Sequence, residues 1–134
     1  MEKQQIIEEI ISEILDSDII FFAIGGFGKY LYDDKIDIKD LDFYIPAELN
    51  NSEKLIGLIL KFDRRNKLNN YIFDKIIRIN YKSLTIDLLP KIDGVNFESV
   101  MENYEIKYFN NLPIRTLSQN KIEENINFIK NQIE

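Results

Sequence analysis

The chain has no cysteine and no histidine, and only three prolines and five glycines in 134 residues. Without cysteine there is no disulfide scaffold, no thiol nucleophile and no cysteine-ligated zinc site. Without histidine the commonest general base is missing, so any chemistry must run on carboxylates, lysines, hydroxyls or a bound metal ion. Positive charge is also scarce: 17 lysines and arginines stand against 23 acids, a net charge of -6. Bulk electrostatic binding of nucleic acid is therefore not expected, because neutralising phosphates takes clustered Lys and Arg. A small nucleotide remains compatible, since a metal ion can bridge acidic protein and acidic ligand. No apolar run approaches the roughly eighteen residues a membrane span needs. The start, MEKQQIIEEIISEIL, is amphipathic and acidic where a secretory signal is basic and then continuously apolar. The expectation is a cytoplasmic protein with no membrane contact.

Hydrophobic residues at 45% and charged residues at 30% are an ordinary globular balance. The length fits one domain spanning 1–134, in which folding can bury roughly two thirds of the extended chain's surface. Ile6, Ile7, Ile10, Ile11, Ile14 and Leu15 fall on one stripe and predict a helix over 3–16. The run from Ile19 to Ile24 predicts a central strand covered on both faces. A short helix over 27–32, a strand over 41–45 closed by Pro46 and a helix over 51–63 follow. IFDKIIRI and SLTIDLL read as two strands joined at NYKS, residues 90–97 as a loop and YEIKYF as a further strand. A last helix over 118–133 has Ser118 as its cap and Ile122, Ile126, Ile129 and Ile133 as its buried stripe. The predicted class is α+β, a mixed sheet with helices packed on it in a two-layer arrangement.

Three pieces of this pattern can carry chemistry. Gly25 and Gly26 directly follow the apolar strand, where a backbone can offer N–H groups to a phosphate at the start of the next helix; a plain tight turn is the bland reading. Gly28 and Lys29 do not complete a Walker A loop, since Ala23 and Tyr30 occupy its other key positions. Asp40 and Asp42 flank Leu41, so alternation puts both carboxylates on one strand face, where they suit a hard cation or simply face water. Asp87 sits between Ile86 and Leu88, and an acid inside so apolar a strand needs solvent, a partner or a metal ion. Lys29 can reach a phosphate or remain a solvated surface residue. Asp33, Asp34 and Asp37 read as a solvated connection. Arg64, Arg65 and Lys67 form the one basic cluster, which reads first as a solvated helix end.

Ile24-Gly25-Gly26, thirteen intervening residues, Asp40-Leu41-Asp42-Phe43, and later Ile86-Asp87-Leu88 together resemble the signature of the DNA polymerase β-like nucleotidyltransferase superfamily, in its small prokaryotic forms. The resemblance implies a nucleotidyltransferase-like fold and transfer of a nucleoside monophosphate from an NTP to a hydroxyl on a protein, RNA or small molecule. It implies Gly25 and Gly26 at the nucleotide, with Lys29 a further nucleotide-binding candidate from its position alone, and Asp40, Asp42 and Asp87 as catalytic carboxylates holding Mg²⁺ or Mn²⁺. It also implies a place in a toxin–antitoxin pair, with the cognate toxin as protein acceptor. The alternative is a catalytically inactive nucleotide-binding or protein-interaction module of the same fold. Many relatives have serine where this chain has Gly26.

Overall fold

The computed structural model describes residues 2–47, 52–63 and 75–133. Helix α1, Lys3–Asp16, has the predicted bounds, and its isoleucines at 6, 7, 10, 11 and 14 are all buried. Strand β1 is confined to Phe22–Ile24, shorter than the predicted 19–24. Ile19 and Phe21 are buried but outside the ladder. The antiparallel partner β2, Leu41–Tyr44, supplies only Tyr44, Phe43 and Asp42 opposite Phe22, Ala23 and Ile24.

Helix α2, Gly25–Tyr32, begins where β1 ends, so both glycines lie in its first turn rather than in a turn preceding a helix at 27. Helix α3 is Ser52–Phe62. Strands β3, Ile77–Tyr81, and β4, Leu84–Leu89, form the expected hairpin. Its two linking residues, Lys82 and Ser83, have φ of 47° and 72°, the left-handed pair that a two-residue hairpin turn demands. Glu9 ties α1 to this turn, accepting from Tyr81 Oη at 2.5 Å and Lys82 Nζ at 2.9 Å.

Two elements lie outside the sequence reading. Helix α4, Phe97–Asn103, occupies residues next to the expected loop and is capped by Asn96, whose Oδ1 accepts from the Ser99 N–H at 3.2 Å. After β5, Glu105–Phe109, the chain turns at Asn110 and Asn111 (φ 48° and 72°) into β6, Leu112–Thr116. Pro113 argues against a strand in sequence. Here it is accommodated because β6 meets its other neighbour, β1, at Ala23↔Thr116, beyond the proline. Helix α5, Gln119–Ile133, starts with the Lys121 N–H donating to Ser118 Oγ at 3.3 Å, as the cap reading requires.

Among the described residues six strands form one mixed sheet in the order β3-β4-β2-β1-β6-β5. Alternation along the strands divides the apolar residues into two clusters on opposite faces. Ala23, Leu41, Phe43, Ile86 and Leu88 pack with α1, α3 and Phe27. Phe22, Ile24 and Tyr44 pack with Val100 of α4 and Ile122 of α5. Among the described residues no helix is long and apolar enough to cross a membrane.

Candidate active site

Strands β2 and β4 run parallel, and their register sets Leu41 beside Ile86, Asp42 beside Asp87 and Phe43 beside Leu88. With Leu41, Phe43, Ile86 and Leu88 committed to the larger core, alternation turns both carboxylates to the other face. Two acids 45 positions apart thus become neighbours on strands roughly 4.8 Å apart. On the far side of β2, Ile24 pairs with Asp42, and the next residue is Gly25. Gly25 has φ +59°, and a Cβ there would stand 2.6 Å from Asp42 Oδ2. Glycine is required twice, by backbone conformation and by the carboxylate against it.

Asp87 is 8% exposed and is held by a residue absent from the sequence reading. Arg78, opposite it on β3, donates from Nε to Oδ1 at 2.8 Å and from Nη2 to Oδ2 at 3.1 Å. This two-point grip fixes the plane of the carboxylate. The one sequence signal for Arg78 is its position between Ile77 and Ile79, a cation on the polar side of an alternating strand. Among the described residues no cation grips Asp42 in this way. Burial, the charges of Asp87 and Asp40, and a hydrogen bond to Asp87 push its carboxyl up to about 6, and the Arg78 charge opposes this only in part.

Asp40 stands at an exposed bend before β2, near enough for its charge to act on Asp42. Among the described residues no three acids are gathered tightly enough to enclose a cation as they stand. The donor set nevertheless fits a hard divalent ion. The carboxylate oxygens are the donor type such an ion takes, two of the carboxylates are crowded enough that one holds a proton to near pH 6, and glycine at 25 puts no side chain against Asp42 Oδ2. A cation would take the place of that proton.

Gly26 is exposed, with nothing within 4 Å of where its Cβ would be. Lys29, one turn along α2, is exposed and lines a cleft of about 200 Å³ with Tyr32, Asp33, Ile36, Gln119, Ile122 and Glu123. Asp33, Asp34 and Asp37 are exposed; Asp33 caps the Lys35 N–H at 3.1 Å and Asp37 lies 3.7 Å from Lys3 Nζ. The basic cluster Arg64, Arg65 and Lys67 lies outside the described residues.

No family model and no curated protein matches the chain. Solved structures do. One is a Thermotoga maritima protein provisionally named a nucleotidyltransferase, with TM-score 0.65 at 12% identity, over 96% of this chain and 83% of that one. Another is the aminoglycoside nucleotidyltransferase ANT(2")-Ia in complex with adenylyl-2"-tobramycin, with TM-score 0.60 at 17% identity, over 87% of this chain and 69% of that one. The mixed sheet and the helices packed on it thus have the nucleotidyltransferase fold, and this chain is built on it.

Proposed function

We propose that this chain moves a nucleoside monophosphate from an NTP to a hydroxyl acceptor. The observation that carries the reading is the meeting of Asp42 and Asp87 on neighbouring strands, directly beside the glycine start of α2. The N–H groups of that first helical turn bind the triphosphate oxygens, aided by the positive end of the helix dipole. Asp40, Asp42 and Asp87 would hold a divalent ion, Mg²⁺ or Mn²⁺ by the hardness of their oxygens. When bound, that ion supplies positive charge to the triphosphate and the acceptor oxygen. Asp87, held in orientation by Arg78, takes the acceptor hydroxyl's proton at Oδ2, the oxygen with the longer bond to Arg78. The acceptor oxygen bonds to the α-phosphorus, the bond to the bridging oxygen breaks and pyrophosphate leaves. The net charge of -6 favours a protein or small molecule as acceptor over a long RNA. A toxin protein modified by its antitoxin is one such acceptor, and an aminoglycoside-like hydroxyl, as in the tobramycin complex of the structural neighbour, is the other.

Incubation with α-labelled NTPs, Mn²⁺ and cell extract should label an acceptor with the wild-type chain but not with Asp40→Asn. NTP binding without transfer would favour the non-catalytic module. If neither NTP nor metal raises the melting temperature, the site assignment is wrong, because a ligand at 100 times its Kd stabilises by about 2.7 kcal/mol.

Gly26→Ser gives a second check. The open space at Gly26 admits the side chain, and its hydroxyl would add a donor in the phosphate turn. NTP affinity should rise roughly two- to tenfold, the range of one added hydrogen bond, with no loss of thermal stability. Unchanged affinity by calorimetry would mean that this turn does not face the phosphates.

A further inference from the structure

Strand β5 ends the sheet order, so one side of its backbone has no strand partner among the described elements. Two large apolar side chains on one of its faces stand in water: Ile106 is 53% exposed and Tyr108 69%. The alternate residues carry opposite charges and turn toward α2. There Tyr32 Oη donates to Glu105 Oε2 at 2.5 Å, and Lys107 Nζ lies 4.6 Å from the Tyr32 ring centre.

We propose that β5 pairs antiparallel with β5 of a second copy of this chain, with the two-fold axis passing through Ile106. An axis perpendicular to a continuous sheet keeps the two faces distinct, so it sets each residue opposite one of the same parity. Centred on Ile106, it places Glu105 opposite the partner's Lys107, Lys107 opposite the partner's Glu105, and Tyr108 opposite the partner's Tyr104. Both charged pairs are attractive, and the exposed Ile106 is covered by its own copy. Centring on Glu105 or on Lys107 would oppose like charges, and centring on Tyr108 would leave both charges unmatched. A lysine on an edge strand ordinarily discourages pairing, but this register gives it a carboxylate. The strand is self-complementary, which is why the occupant is a second copy rather than an unrelated chain. Strands β1 and β6 separate β5 from β2, so both acid pairs stay clear of the junction.

The chain has no cysteine, so Ile106→Cys is a single thiol on the axis. Opposed Cα atoms in an antiparallel pair are about 4.5 to 5.5 Å apart, within disulfide reach. Tyr108→Cys would be four positions out of register with its copy, roughly 13 Å away. Mild oxidation should therefore form a disulfide-linked dimer at least roughly tenfold faster at 106 than at 108. In sedimentation equilibrium the wild type should dimerise. Glu105→Lys or Lys107→Glu should each weaken the dimer roughly tenfold, and the two together should restore it, because the attractive pairs are re-formed with their signs exchanged. A wild type that stays monomeric up to its solubility limit, equal cross-linking at 106 and 108, or a dimer indifferent to the single reversals would each overturn the proposal. If a single reversal fails to fold, the cysteine pair decides.

Discussion

Asp42→Asn should abolish nucleotidyl transfer and, at neutral pH, make the protein harder to unfold. Under the proposed function the loss follows from removing an oxygen that would hold the metal ion: roughly three orders of magnitude in kcat, the scale of several kcal/mol of transition-state charge stabilisation. The gain follows from the site's electrostatics. The folded chain holds the Asp42 proton to about pH 6, more tightly than the unfolded chain does. Stability linked to this group is therefore greatest below about pH 4, falls as pH rises to about 6 and stays low above it. Asparagine cannot ionise, so it avoids that fall and keeps a donor toward Asp87. After discounting for solvent screening, the gain at pH 7.5 is about 1 to 2 kcal/mol, or roughly 4 to 8 °C in Tm, and it vanishes near pH 4. Melts of both proteins at the two pH values, with a transfer assay, check both halves. Equal Tm at pH 7.5, or retained transfer, would remove Asp42 from the role given to it. Because a bound cation would compete with that proton, the metal concentration needed for half-maximal wild-type activity should rise as pH falls below about 6.

Gly25→Ala should lower Tm by roughly 10 °C and eliminate NTP binding. A left-handed backbone costs a non-glycine residue about 1 to 2 kcal/mol, and here φ is +59°. The added Cβ also meets Asp42 Oδ2 at 2.6 Å, a contact that forces one of them to move and adds about 1 to 3 kcal/mol. The two parts can be separated. In an Asp42→Ala background the clash is gone and only the backbone cost remains, so Gly25→Ala should cost at least about 1 kcal/mol less there. Additive effects in that cycle would show that the methyl and the carboxylate do not compete for space. Position 25 needs glycine for its contact with an acid as much as for its left-handed backbone.

Much of this arrangement was legible in residue order because it rests on short-range periodicity. Isoleucines at helical spacing define α1, and alternation alone sets Asp87 on the face opposite Ile86 and Leu88. What periodicity does not contain is which strands become neighbours. That Asp42 lies beside Asp87, and that Arg78 grips Asp87 from the other side, are properties of the β3-β4-β2 order. The misses at α4 and β6 have local causes. Helix α4 is only seven residues long, with Val100 its one buried residue, too few for a periodic signal. In β6 the proline masked a strand whose pairing happens not to need that N–H. The early end of β1 has a tertiary cause: Ile19 and Phe21 are as apolar as strand residues, but β2 is too short to pair with them.

The chain separation of the paired residues also sets an order of assembly. Arg78 and Asp87 belong to one hairpin closed by a two-residue turn, so their meeting needs only a short-range loop closure. Asp42 and Asp87 come from parallel strands, which no tight turn can join, and their meeting waits on a crossover that carries α3. The topology therefore predicts that the buried acid meets its cation before its like-charged neighbour, an order that folding kinetics of Arg78→Ala and Asp42→Ala would test. Repulsion between the two carboxylates enters only when the rest of the sheet is present to hold it.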